Sequence, residues 1–93
     1  MITAFVLIEA DADRIADLGR ELADIAGVRQ AHSVAGSTVD LVAILEVPDH
    51  EAIATVVTER ISRLAGIRST QTLIAFRVYS NRDLDAGYAD FGD

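Results

Sequence analysis

Ile25-Ala26-Gly27-Val28-Arg29 returns further along the chain as Leu64-Ala65-Gly66-Ile67-Arg68. In both copies a glycine stands where an amphipathic stretch ends and a β-branched run begins. A residue in the left-handed conformation commonly closes a helix, and glycine takes it most easily. The two segments therefore read as two helix-to-strand junctions, and the chain as a doubled unit.

Working outward, Ile2 to Glu9 (ITAFVLIE) is a nearly unbroken apolar run, the pattern of a strand buried on both sides. Asp11 is the expected N-cap of the first helix, with Asp13 near its positive end. Ile15, Leu18, Leu22 and Ile25 recur at spacings of three and four and form its buried face. Arg14, Asp17, Arg20, Glu21 and Asp24 are assigned to the solvent side. Val28 to Ala35 is the second strand, Gly36-Ser37-Thr38 a turn, and Asp40 to Val47 (DLVAILEV) the third strand. Pro48 stops that strand and Asp49 caps the second helix, whose stripe is Ile53, Val56, Val57, Ile61 and Leu64. Ile67 to Tyr79 holds the fourth strand, with Leu73-Ile74-Ala75-Phe76 as its apolar centre. Leu7-Ile8-Glu9 before the first helix and Ile44-Leu45-Glu46 before the second extend the internal echo.

A doubled βαβ unit is the ferredoxin-like arrangement, α+β, with the order βαββαβ. Right-handed crossovers place both helices on one face of a four-stranded antiparallel sheet. Residues 1–80 make this domain, and 81–93 an acidic C-terminal tail with room for a short helical turn or two. Strands one, three and four do not alternate as strands with one wet face would. Monomers seldom expose apolar patches beyond a few hundred Å². Covering ~600 Å² at about 25 cal/mol per Å² would be worth ~15 kcal/mol before the costs of association. A homo-oligomer paired sheet to sheet, of the dimeric α/β barrel type, is expected.

Composition narrows the function. With 93 residues and 51% hydrophobic content the chain is one globular domain, and no apolar run reaches the length of a membrane span. Met1 runs straight into the first strand with no basic lead-in, so no signal peptide is expected and the expected location is cytoplasmic. There is no cysteine, hence no disulfide and no thiolate chemistry. The net charge is −7, every basic residue is an arginine, and the eight are scattered from Arg14 to Arg82. Phosphate-backbone binding needs clustered cations, so direct nucleic-acid binding is not expected.

The two histidines, His32 and His50, lie on different elements with no metal-ligand spacing around them. His50 reads as a solvated first-turn residue, and His32 either as plain surface or as groove lining. No hydroxyl–imidazole–carboxylate set and no phosphate loop occurs, so no catalytic residue, metal or cofactor is assigned. Glu9 and Glu46 read as strand-end charges. Two places offer binding chemistry. The turn Ala35-Gly36-Ser37-Thr38-Val39-Asp40 supplies backbone N–H groups, two hydroxyls and a carboxylate, a set able to hold an α-amino acid. Ser69-Thr70-Gln71-Thr72 opens the last strand, with Thr70 and Thr72 toward one face. Ordinary turn and strand preferences account for the same residues without a ligand.

In their order these pieces resemble one family: Ala26-Gly27-Val28, Ser33-Val34-Ala35-Gly36, Asp40-Leu41-Val42-Ala43, then Gly66-Ile67-Arg68-Ser69-Thr70-Gln71-Thr72-Leu73-Ile74-Ala75-Phe76. Over about residues 1–80 the chain resembles the effector-binding RAM domain of Lrp/AsnC (leucine-responsive, feast/famine) regulators. The resemblance implies sheet-to-sheet dimers that assemble further into rings, commonly octamers of four dimers. It also implies amino acids or related metabolites bound between dimers, and co-assembly with full-length regulators. The matching site positions are Gly36 and Asp40 in the turn and Thr70 and Thr72 on the strand, with Ser37 and Thr38 as hydroxyl donors between. Two departures stand out. The chain starts at the first strand, without the family's helix-turn-helix, which reads as a stand-alone form. Three residues separate Gly36 from Asp40 where the family usually has two, which would bulge the hairpin. The expected function is a non-catalytic small-molecule sensing domain. The alternatives are a ligand-free interaction module and, further off, a small dimeric ferredoxin-like enzyme.

Overall fold

The structure is a computed structural model that describes residues 1–80. Its elements follow the expected βαββαβ order. They are β1 (Ile2–Ala10), α1 (Ile15–Ala23, entered through a 3₁₀ turn at Ala12–Arg14), β2 (Val28–Ser33), β3 (Leu41–Val47), α2 (His50–Thr55, with a modified continuation) and β4 (Ile67–Ile74). The strands form one antiparallel sheet in the order β2-β3-β1-β4. This is the ferredoxin-like fold. The expected tail conformation at 81–93 lies outside the described residues.

One face of the sheet meets the helices and is dry. Ala4, Val6 and Ile8 of β1 lie opposite Leu45, Ala43 and Leu41 of β3, and all six are buried. Leu18 and Leu22 of α1, with Ile53, Val56 and Ile61 after β3, close this core from above. Asp49 caps α2 as expected, its carboxylate accepting the N–H of Ala52 at 2.8 Å. Asp11 does not cap α1. It stands before the 3₁₀ turn with no side-chain bond to the helix, and its own N–H donates to the carbonyl of Gly66 at 2.9 Å.

The second helix is not a plain α-helix. Past Thr55 the backbone widens into a π turn at Val56–Arg60, then tightens into a 3₁₀ turn at Ile61–Arg63. The side-chain spacing explains it. Val56 and Ile61 are five residues apart and both are buried, whereas α-helical geometry would turn them about 140° from one another. The N–H of Ile61 reaches back to the carbonyl of Val56, and this i→i−5 bond keeps both on the core side.

The internal echo survives in three dimensions. Gly27 and Gly66 both adopt positive φ, at 97° and 96°. Immediately afterwards each edge strand is bulged: Val28 and Gln30 face consecutive residues of β3, and Ile67 and Ser69 face consecutive residues of β1. Arg29 and Arg68 are the extra residues. Glu46 donates its N–H to the carbonyl of Gly27 at 3.0 Å, as Asp11 does to Gly66. Arg29 pairs with Glu46 at 2.8 Å and Arg68 with Asp11 at 4.0 Å. The structural counterpart of Glu46 is therefore Asp11. The expected match of Glu9 with Glu46 is out by two residues, because the bulges and not the acidic residues set the equivalence.

The other face of the sheet carries no helix. Two rows cross it, His32–Val42–Leu7–Gln71 and Gln30–Ile44–Phe5–Leu73, in order from β2 to β4. Its middle is apolar, as the lack of alternation implied, and its margins are polar. Phe5 is 37% and Leu73 46% exposed, while Leu7, Val42 and Ile44 are partly covered by their neighbours. The apolar run of β4 is also displaced. The strand ends at Ile74, and Phe76, Val78 and Tyr79 stand beyond it, almost wholly exposed.

Candidate ligand site

The turn between β2 and β3 is built as its residue types suggest. Gly36 has φ of 113° with open space where a side chain would stand. The Ser37 hydroxyl accepts the N–H of Val39 at 3.0 Å, which organises the turn from within. Thr38 is exposed. Val34 donates to the carbonyl of Asp40 at 3.0 Å and so closes the hairpin, taking in the extra residue without breaking the pairing of β2 with β3.

Asp40 has a role that sequence reasoning missed. Its carboxylate Oδ2 accepts the N–H of Ala10 at 2.8 Å, in a half-buried setting, and its own N–H donates to the carbonyl of Ile8 at 2.8 Å. Ala10 lies where the pairing of β1 with β4 changes register. The carboxylate thus satisfies an amide that the bulge leaves without a ladder partner. It is already engaged in a structural hydrogen bond within the fold. Beside this bulge the Ser69 hydroxyl donates to Oε2 of Glu9 at 3.0 Å.

Thr70 and Thr72 do share a face. They lie opposite Ile8 and Val6, so it is the helix-covered face, where both are half-buried. β4 is one edge of the sheet, but Asp40, just before β3, bonds to β1, so β1 alone stands between Asp40 and Thr70. Asp40 and the start of β4 thus flank the same end of β1, with Thr72 two residues further along β4 and Gly36, Ser37 and Thr38 further out in the turn. His32 lies on the helix-free face opposite Val42, and His50 in the first turn of α2. Among the described residues no group of three or more His, Asp and Glu is arranged to hold a metal ion. No helix among them is long and apolar enough to cross a membrane.

Arg14, expected on the solvent face of α1, turns inward to the second junction. Its side chain lies across Gly66, its Nε donates to the carbonyl of Ala65 at 3.0 Å, and its guanidinium holds Glu21 at 2.7 Å and Asp17 at 3.4 Å. The hydrogen bond to Glu21, aided by the charges of Glu21, Asp17 and Asp13 and opposed by desolvation, holds the guanidinium above the ordinary arginine range. The signal for this contact was in the sequence: an arginine in the first turn of a helix, and a glycine at the matching junction.

The four-stranded antiparallel sheet with both helices on one face is a ferredoxin-like domain. The chain belongs to the Lrp/AsnC ligand binding domain family, whose pattern it matches over residues 3–84. Among solved structures it is similar to TTHA0845 from Thermus thermophilus, at 43% identity and a TM-score of 0.81, covering 87% of this chain and 100% of that one. It is similar also to the leucine response regulatory protein LrpA of Mycobacterium tuberculosis, at 27% identity and a TM-score of 0.70, covering 86% of this chain and 53% of that one. The siroheme decarboxylase NirDL is similar at 25% identity and a TM-score of 0.72, over 83% of this chain and 26% of that enzyme. No curated protein is found to match the chain.

Proposed function

We propose that this chain is a non-catalytic sensing domain that binds an amino acid or related small metabolite as a homo-oligomer in the cytoplasm. Residues 1–80 form the sensing unit, and Gly36, Ser37, Thr38, Asp40, Thr70 and Thr72 are its ligand-facing residues. One observation supports the oligomeric part of this reading: the helix-free face of the sheet has an apolar centre at Phe5, Leu7, Val42, Ile44 and Leu73. In such an oligomer the ligand sits between copies, with the turn of one chain facing β4 of another. Dimers paired through the helix-free face, assembled further as far as an octamer, meet that condition, and a full-length regulator of the same family could take the place of a copy.

The test is a thermal-shift panel of the twenty amino acids at millimolar concentration, since a ligand selective for the folded oligomer raises its stability by mass action. Stabilisation by a subset of the panel, lost in Thr72→Val and in Ser37→Ala, is the expected result. A panel without any shift sinks the proposal. A second reading, a ligand-free interaction module, draws on the bonds already made within the turn by Ser37 and Asp40. It predicts a silent panel together with heteromers, seen by native mass spectrometry, when the chain is mixed with a regulator of the family.

A further inference from the structure

We infer that residues 75–79 form an arm that lies on the helix-free sheet face of a second copy of this chain. The inference rests on the paired oligomer proposed above and adds the element that completes its interface. Sheet pairing runs one residue past β4, where Ala75 donates to the carbonyl of Thr3 at 2.9 Å, and then the chain leaves the sheet. From there Phe76 is 99%, Val78 79% and Tyr79 86% exposed. The arm stands off its own body, with a cleft of about 370 Å³ between it and Met1, Thr3 and His50.

Area decides between a bare sheet contact and one that includes the arm. A stable interface buries about 800 Å² on each partner. Full burial of an aliphatic or phenyl side chain covers about 60–120 Å², so the five partly covered apolar residues at the middle of the face offer at most about 300 Å². On the same scale the largely exposed Phe76, Val78 and Tyr79 of the arm offer about 150–350 Å² more. Sheet centre and arm together approach what a stable pair needs, and the sheet centre alone falls well short.

Reach and position agree with area. Five extended residues span about 17 Å, and three inter-strand gaps of about 4.8 Å make a four-stranded sheet about 14 Å across. The arm can therefore cross the face opposite it. It is also continuous with the patch it would extend, since Leu73 on the helix-free face stands two residues before Ala75. A second copy is the occupant that supplies both an apolar face and a matching arm, so that each chain covers the other in the same way.

Two measurements on the full chain test the arm. In dimers mixed from ¹³C-labelled and unlabelled chains, the ring protons of Phe76 and Tyr79 should show intermolecular contacts to methyl groups of Leu7, Val42 or Leu73. Contacts only within a chain, to its own sheet or to residues 81–93, overturn the arm. Phe76→Ser with Val78→Ser should raise the dimer dissociation constant roughly tenfold or more, with an unchanged far-ultraviolet spectrum. An unchanged constant overturns the arm and leaves sheet pairing standing. A parent chain that stays monomeric at micromolar concentration overturns both together.

Discussion

At the scale of single residues, Gly66 is the most constrained position. Its φ of 96° disfavours any side chain, and a Cβ there would lie 2.8 Å from Cγ of Arg14. Gly66→Ala should cost about 1–3 kcal/mol in urea unfolding. Gly36→Ala, equally left-handed but in open space, should cost nearer 1 kcal/mol. If the contact with Arg14 makes the difference, Arg14→Ala in the Gly66→Ala background recovers part of the loss, and a double-mutant cycle reads the coupling. The raised value of Arg14 has a definite consequence for pH. Stabilisation from a raised folded value is fully present below the ordinary arginine range and is lost only as pH rises through the still higher folded one. The stability difference between parent and Arg14→Met should therefore stay flat from about pH 6 to 9.

Asp40 changes which variants can test the site. Asp40→Ala leaves the Ala10 amide without its partner and should cost about 1–3 kcal/mol whether or not a ligand is present. Asp40→Asn keeps an acceptor while removing the charge. A lost ligand response with stability largely kept would assign the carboxylate to binding, whereas equal stability losses in Asn and Ala would confine it to the bulge. The sequence marked Asp40 as chemically interesting without showing the bond. That bond depends on Ala10, which a pairing shift brings close and which no local pattern announces.

At the scale of elements, the repeated glycine junctions were readable because each combines a helix end, a left-handed residue and a strand start within a few positions. The π turn was not, although its cause lies in the same residues. Val56, Val57 and Ile61 all fit an apolar stripe, and only the packed structure shows that Val56 and Ile61 are the buried pair. Deleting Thr58 leaves Val56 and Ile61 four residues apart, so the π turn should convert to α geometry with the two still within about 40° of one another on the core side. Ile61 is fully buried and stays so, and the deletion should therefore destabilise the chain by less than Ile61→Ala, about 2–5 kcal/mol, measured by chemical denaturation. The length of β4 was misjudged for a different reason. Leu73 to Phe76 are strand formers by composition, but β1 offers partners only as far as Thr3 for Ala75.

For the whole molecule, the sheet order and the single helical layer followed from the doubled unit, and the helix-free face from missing alternation. On that face Leu7, Val42 and Ile44 are half covered by their own neighbours across the strands, while Phe5 and Leu73 are more open. A concentration series separates the consequences. An oligomer held through the helix-free face should melt at a temperature that rises with protein concentration. Phe5→Asp, at the centre of that face, should abolish the dependence while leaving the helical core intact. A melting temperature independent of concentration in the parent chain would speak for a monomer.

The bond between Asp40 and the Ala10 amide has one more consequence. It joins the hairpin turn to β1, the strand that pairs with both β3 and β4, at the place where β1 leaves register with β4. Movement of the turn is therefore felt at one backbone proton. That proton should exchange with deuterium slowly in the free domain. An effector that drew the carboxylate toward itself would speed its exchange, while the neighbouring core amides of β1 kept their rates. The molecule carries its own gauge of occupancy, one amide wide, and it can be read without knowing the effector's identity.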